Sequence, residues 1–289
     1  MKIVAANAVF TETVFPHPKA FWRHLEQLLA PLKAQGAQVV LLPGLTGLVY
    51  TQAVLGPPPH PAELIQEAAA QAPHLTAGFS RLARQFRLYL CPGSTVVRAG
   101  GRYHLAAALF DPEGRQVGEQ YQTHLSAEER SWGLSPGEEL QVFPTAVGKL
   151  ALVVGTDGRY PEVSRIVGLQ GAELVLAPAA VPAPYNRWRQ VASLWREVQQ
   201  NQFFALENWL QGQIGATTYD GRAAILAPCE MTPGETGYLA EAQQSCWAEL
   251  DFHRRQEVIA AYPLFKHLNP TLYEAHLPGI YERRDPGAS

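Results

Sequence analysis

Short apolar runs alternate with amphipathic stretches along most of the chain. Ile3 to Val9 reads as a strand. Lys19 to Gln35 then sets Phe21, Leu25, Leu28, Leu29 and Leu32 at helical spacing, and Gly36 stops the helix. Val39 to Leu42 is a buried strand that runs into Pro43-Gly44, and the stiff GPPPHP loop at Gly56 to Pro61 leads to helical stretches at Ala62 to Ala72 and Thr76 to Phe86. Leu88 to Val97 and Tyr103 to Phe110 form a strand pair about the turn Ala99-Gly100-Gly101. A second turn, Asp111 to Gly114, precedes a strand at Gln116 to Tyr121.

The second half repeats the order. Lys149 to Val154 is a strand, Glu162 to Gln170 a helix and Glu173 to Ala177 a strand. Asn186 to Leu206 reads as one long helix, followed by strands near Gln211 to Ala216, Ala223 to Ala227 and Ser245 to Leu250. Runs such as VVLLP and LVLAP suit strands covered on both faces, so the pattern is α/β. Tyr262 to Ser289 carries Tyr262, Phe265, Tyr273 and Tyr281 without helical period and is expected to dock as a tail.

Composition narrows the possibilities. The 289 residues allow one domain or two at about 150 residues each. Charged residues are 17% of the chain, against about 25% in ordinary globular proteins, which points to extensive burial. A net charge of −3 gives no reason to expect nucleic acid or an anionic membrane as partner. No apolar run approaches the roughly 20 residues of a membrane span. The opening MKIVAANAVF passes directly into a strand without a signal-peptide pattern, so a cytoplasmic location is expected.

A generic search for chemistry finds little. The nine histidines are dispersed, with no i, i+4 pair, so no metal or other cofactor is expected. There is no GxGxxG after the first strand, no GxxxxGK[ST] and no GxSxG. Cys91, Cys229 and Cys246 are scattered and read as packing residues.

One segment is more specific. From Gly148 to Ala180 the chain runs strand, sharp turn, helix, strand, with Asp157, Arg159, Tyr160, Pro161 and Glu162 in the turn and LAPAA at Leu176 to Ala180. Here the chain resembles the nitrilase superfamily of carbon–nitrogen hydrolases, in which such a strand ends in Cys before the same Asp, Arg, aromatic, Pro and Glu. A second block, Gly118 to Glu139, resembles the family's lysine loop through His124-Leu125, Glu129-Arg130 and Pro136-Gly137. The resemblance covers roughly residues 1 to 260, with the family's Glu-Asn pair read at Asn201-Gln202. It implies a four-layer αββα sandwich at 1–261, a tail at 262–289 docking on the domain or across a dimer interface, and a homodimer or higher homo-oligomer.

The resemblance also implies a Glu, a Lys and a Cys as base, oxyanion stabiliser and nucleophile. The matching positions are Gly44, Gln122 and Gly155. The register is pinned by Asp157 and Arg159 on one side and His124-Leu125 on the other; no cysteine lies between Cys91 and Cys229, and Gly118 to Ser135 holds no lysine.

The first reading is therefore a non-catalytic member whose two glycines leave a larger, less polar cavity. Such a cavity suits a small neutral ligand, with a regulatory or scaffold role toward an active relative as a further expectation. The second reading is a re-tooled amidase using Thr156, with Glu128, Glu129, His124 and Asp157 as acid–base groups. Expected pocket residues are Glu129, Trp132, Thr156, Asp157, Arg159 and Tyr160. Glu129 suits pocket lining or loop bracing, and Arg159 fits bracing best.

Overall fold

The computed structural model describes residues 1–58 and 60–282. The first part of the chain forms β1 (Lys2–Asn7), α1 (Pro18–Ala34), β2 (Val39–Leu41), α2 (Thr46–Leu55) and α3 (Ile65–Phe86). Next come β3 (Tyr89–Cys91), β4 (Ser94–Ala99), β5 (Arg102–Phe110), β6 (Gln116–Tyr121) and the short α4 (Ala127–Ser131). The middle holds β7 (Val142–Thr145), β8 (Gly148–Leu152), α5 (Pro161–Leu169) and β9 (Leu174–Ala179). Then follow α6 (Arg187–Gln190), a π turn over Val191–Trp195, α7 (Arg196–Asn201), β10 (Phe204–Trp209), β11 (Gln211–Ile214) and β12 (Thr217–Asp220). The chain continues through β13 (Ala223–Leu226), β14 (Tyr238–Ala242), β15 (Cys246–Asp251), α8 (Phe252–Ala261) and α9 (Pro270–Glu282).

Two sheets stack with helices outside both, giving the αββα sandwich. One sheet runs β15-β1-β2-β3-β5-β4 with β6 on β5, the other β14-β13-β10-β9-β8-β7. Parallel strands occupy the middle of each, and register aligns their carboxyl ends. Leu152 of β8 pairs with Leu176 of β9, which pairs with Leu206 of β10. All positions of β9 and β10 are buried, as strands covered on both faces require. Leu174, Leu176, Phe204 and Leu206 join the core shared with α1 and α3, while Val175, Ala177 and Ala205 pack on α5 and α7.

Two buried carboxamides bridge the sheets. Asn7 Nδ2 donates to the carbonyls of Ala224 (2.9 Å) and Glu207 (3.3 Å) in the second sheet. Asn208 Nδ2 donates back to Leu41 (2.9 Å) and Ala8 (3.0 Å) in the first. Beside Asn208, Glu207 is buried among Ser193, Gln190, Trp209 and the Leu194 N–H; burial raises its carboxyl above the ordinary value, with those hydrogen bonds opposing.

Several elements differ from expectation. The helix read through Asn186 to Leu206 ends at Asn201, because Gln202 takes a left-handed φ of 54° and β10 begins at Phe204. The Glu-Asn pair read at Asn201-Gln202 is present literally as Glu207-Asn208, in the strand. The run Leu88 to Val97 is split at Pro92-Gly93 into β3 and β4. The tail forms a helix at 270–282 although its aromatics lack helical period. Leu272, Tyr273 and Leu277 are exposed there, so no buried stripe is needed. Before that helix, Phe265 lies under the Arg165 guanidinium, 5.1 Å away, and Gln202 Nε2 donates to Tyr262 O at 2.8 Å. Residues 283–289 of the expected docking tail and Pro59 of the proline loop lie outside the described residues. Among the described residues, no helix is long and apolar enough to cross a membrane.

Asn208→Ala is expected to cost about 2–4 kcal/mol in equilibrium urea unfolding, because Ala8 O and Leu41 O lose the carboxamide donor, Leu41 O keeping the Ala8 N–H, and a buried side chain is truncated. Glu207 sets a pH dependence. Its raised folded value means that the native state holds the proton more tightly than the unfolded chain, so this contribution is present below the ordinary carboxylate range and is lost as pH rises toward neutrality. Glu207→Gln is expected to gain stability relative to the natural chain as pH rises from roughly 4.5 to 7, and a flat difference in urea midpoint would contradict the assignment.

Candidate functional site

The carboxyl ends of β2, β6, β8 and β9 converge. The chain leaves β2 through Pro43-Gly44, β6 into Gln122, β8 into a 3-10 turn at Gly155–Arg159, and β9 into Ala180. Gly44 N–H donates to Ala179 O at 3.1 Å, so backbone from the two sheets meets there. A Cβ at Gly44 would stand 2.5 Å from the Ala179 carbonyl carbon, which only glycine avoids. The extra space expected at this position is therefore absent, because the neighbouring strand end occupies it.

Gln122 is fully buried. Its Nε2 faces three acceptors: His124 O at 2.8 Å, Thr156 Oγ1 at 2.8 Å and Glu129 Oε2 at 3.0 Å. The reverse orientation would aim the amide oxygen at a carboxylate and a carbonyl, so the network fixes the amide. The Thr156 hydroxyl donates to His124 O, leaving the two amide hydrogens for Thr156 and Glu129. Gln122 Oε1 has no hydrogen-bond partner among the described residues. It lies 2.8 Å from the place a Cβ on Gly155 would take, and Gly155 itself has a left-handed φ of 60°.

In front of this network is a cavity of about 280 Å³. Glu129, Trp132, Thr156 and Arg159 line it together with Gly155 and Ala179. Glu129 serves the loop as well: its Oε2 accepts the Ser126 N–H at 2.7 Å, and Ser126 Oγ caps α4 in return. Arg159 lies against the Trp209 ring at 5.9 Å; burial lowers its guanidinium below the usual arginine value and Arg189 lowers it further, against Glu207, Glu129 and Tyr160. Two residues of the expected pocket lie behind the lining. Asp157 is fully buried and accepts from the N–H groups of Thr123 (2.9 Å) and His124 (2.7 Å), bracing the loop. Tyr160 stacks on the His124 ring at 3.9 Å.

Arg189 from α6 and Tyr219 from β12 also line the cavity. Sequence reasoning missed both, since they arrive from segments remote from either motif block and carry no local spacing signal. Tyr219 OH and Trp132 Nε1 are buried without a partner among the described residues, and burial, then Glu128 and Glu129, raise the Tyr219 hydroxyl. With Glu128 and Glu129 facing Arg159 and Arg189, the lining carries four formal charges that cancel. It is less apolar than two glycines alone suggest. No cysteine reaches it; burial pushes Cys91 up to about 12 and Cys246 up to about 11, so both are inert thiols.

Comparison with known proteins gives the family and the fold. The carbon-nitrogen hydrolase family profile matches residues 7–228. Omega-amidase NIT2 of Bos taurus is 24% identical over 260 residues, spanning 86% of this chain and 88% of that protein. The probable hydrolase YhcX of Bacillus subtilis is 26% identical over 168 residues, 56% of this chain but only 33% of that longer protein. The crystal structure of a carbon-nitrogen hydrolase from Helicobacter pylori G27 superposes with a TM-score of 0.80 at 24% identity, covering 96% of this chain and 99% of that one. The family profile spans most of the chain and the sandwich matches the fold of these structures: the chain belongs to the carbon–nitrogen hydrolase family.

Proposed function

We propose that this family member binds a small neutral ligand in the strand-end cavity and does not hydrolyse it. The observation that carries the reading is the identity of Gly44, Gln122 and Gly155, the positions matched by resemblance to base, oxyanion lysine and nucleophile. Glycine offers no nucleophile or base. A glutamine amide donates hydrogen bonds without the formal charge that holds an oxyanion.

The ligand follows from the lining. Its charges cancel, its volume lies near the lower end for small-molecule sites, and unpartnered atoms of lining residues supply a donor (Trp132 Nε1) and a hydroxyl that can donate or accept (Tyr219), while Gln122 Oε1 is buried behind Gly155 and outside the lining. A compact neutral molecule with both N–H and C=O groups, such as a primary amide, fits this set. The same reading takes in a second copy of the chain, since Ile166, Leu169, Trp188 and Tyr262 expose apolar surface. A regulatory or scaffold role toward an active relative would use that surface.

The alternative, a re-tooled amidase using Thr156, is less well supported. Its hydroxyl proton is directed to His124 O, a backbone carbonyl that cannot act as a base.

The purified protein, incubated with primary amides, nitriles and N-carbamoyl compounds, is expected to show no turnover above buffer while a primary amide raises its melting temperature. Turnover abolished by Thr156→Ala or Glu129→Gln would overturn the proposal in favour of the amidase. Restoring the triad as Gly44→Glu, Gln122→Lys, Gly155→Cys is not expected to restore activity. Gly44→Glu alone should cost about 3 kcal/mol or more in urea unfolding, because its Cβ meets fixed backbone.

A further inference from the structure

A second cavity, of about 380 Å³, lies at the opposite end of β8 and β9, where those strands begin. Its floor is Lys149, Ala172 and Glu173, one wall is Arg255 and Ile259 of α8, and the outer wall is Pro263, Phe265 and Lys266. Phe265 seats that outer wall against α5, its ring 3.1 Å from the place of a Cβ on Gly168.

The charges of this cavity do not cancel. Lys149, Arg255 and Lys266 line it, and Glu173 is the acidic residue among the lining side chains, leaving an excess of two positive charges. Arg255 is only 6% exposed. Its Nε donates to Gln202 O, and its Nη1 stands 3.6 Å from Glu173 Oε1, a long ion pair. The other Glu173 oxygen is engaged by the Lys149 backbone N–H at 3.0 Å. Among the described residues, neither Lys149 nor Lys266 has a carboxylate within ion-pair distance of its ammonium group. Burial holds the Arg255 guanidinium below the usual arginine value, with Glu173 offsetting this only in part.

A buried guanidinium with one distant carboxylate is stabilised by any anion that reaches its free donors. Arginine's planar fork and two flanking ammonium groups match a tetrahedral oxyanion with two charges. Ile259, Pro263 and Phe265 add apolar surface for an organic body. Asn201 Oδ1, buried and without a partner among the described residues, adds an acceptor for a ligand hydroxyl. We propose that the cavity between α8, the start of β8 and the Pro263–Lys266 segment is a binding site for a small organic phosphate monoester. The bound dianion bridges the body of the protein to the segment after α8, so it holds that segment in place.

The test is calorimetric titration of the full chain with phenyl phosphate, inorganic phosphate and benzoate, at constant ionic strength. Phenyl phosphate is expected to bind more tightly than either. The double variant Lys149→Gln, Lys266→Gln should weaken it roughly tenfold or more while leaving the unliganded melting temperature in place, since both side chains are exposed and unpaired. Phenyl phosphate should also slow hydrogen exchange across Tyr262 to His267. Arg189→Gln, at the other cavity, should leave phosphate binding intact. Undiminished affinity in the double variant, loss of affinity in Arg189→Gln, or protection reproduced by chloride at the same ionic strength would each overturn the proposal.

Discussion

The reciprocal bridge of Asn7 and Asn208 sets the spacing on which the cavity depends. Each carboxamide spends both hydrogens on backbone carbonyls of the opposite sheet, so the two sheets are held by directional bonds as well as by apolar packing. Apolar contacts alone tolerate sliding, whereas four buried carbonyls each lose a carboxamide donor if the sheets shift. Two of the accepting groups, Leu41 and Ala8, lie where β1 and β2 end. The Gly44–Ala179 contact lies just beyond, and a displacement of a fraction of an ångström there would either open the seam or force backbone into backbone.

With the seam fixed, Gln122 becomes the second constraint. Its nitrogen meets three acceptors with two hydrogens, a mismatch relieved by the Thr156 hydroxyl turning to His124 O. The network closes only in that arrangement. It immobilises Thr156 and Glu129 and leaves Gln122 Oε1 as the unpaired group beside Gly155. An ammonium would satisfy the same three acceptors without help and leave the threonine hydroxyl free. An amide in place of a charged donor would therefore change the state of its neighbours as well as the charge of the site.

Strand–helix alternation makes the α/β class legible in the sequence, because strands buried on both faces leave continuous apolar runs, and the resemblance carried by the two motif blocks implies the sandwich. Three features were hidden for physical reasons. Helix α2 is buried on nearly every side, so it has no polar face and no helical period to read. Helix α7 and strand β10 are almost contiguous, and the break between them rests on the single left-handed residue Gln202, which is not glycine. At the site, the expectation for Gln122 and Gly155 rests on motif neighbours on either side, and that for Gly44 on the Leu-Leu-Pro strand end alone. Arg189 and Tyr219 reach the cavity by tertiary packing alone, and the filled space at Gly44 depends on the path of a strand far away in sequence.

The energetics of the lining bear on whether such a cavity would persist without an occupant. Arg159 is desolvated beside a second guanidinium, Trp132 Nε1 and Tyr219 OH of the lining are buried unpaired, and Gln122 Oε1 is unpaired just behind Gly155. Each unpaired buried group costs about 1–3 kcal/mol relative to one that is satisfied. In a chain whose charged content is only 17%, a lining with four charged side chains is a local concentration of cost. A filled apolar core at this position would be more stable. A ligand that supplies one acceptor, one donor and a neutral body relieves those costs together, so the free energy withheld from folding becomes available to binding. Under the proposed reading the same features that burden the unliganded fold would give the cavity its selectivity, because an apolar molecule of equal size would fill the space and leave every one of those groups unpaired.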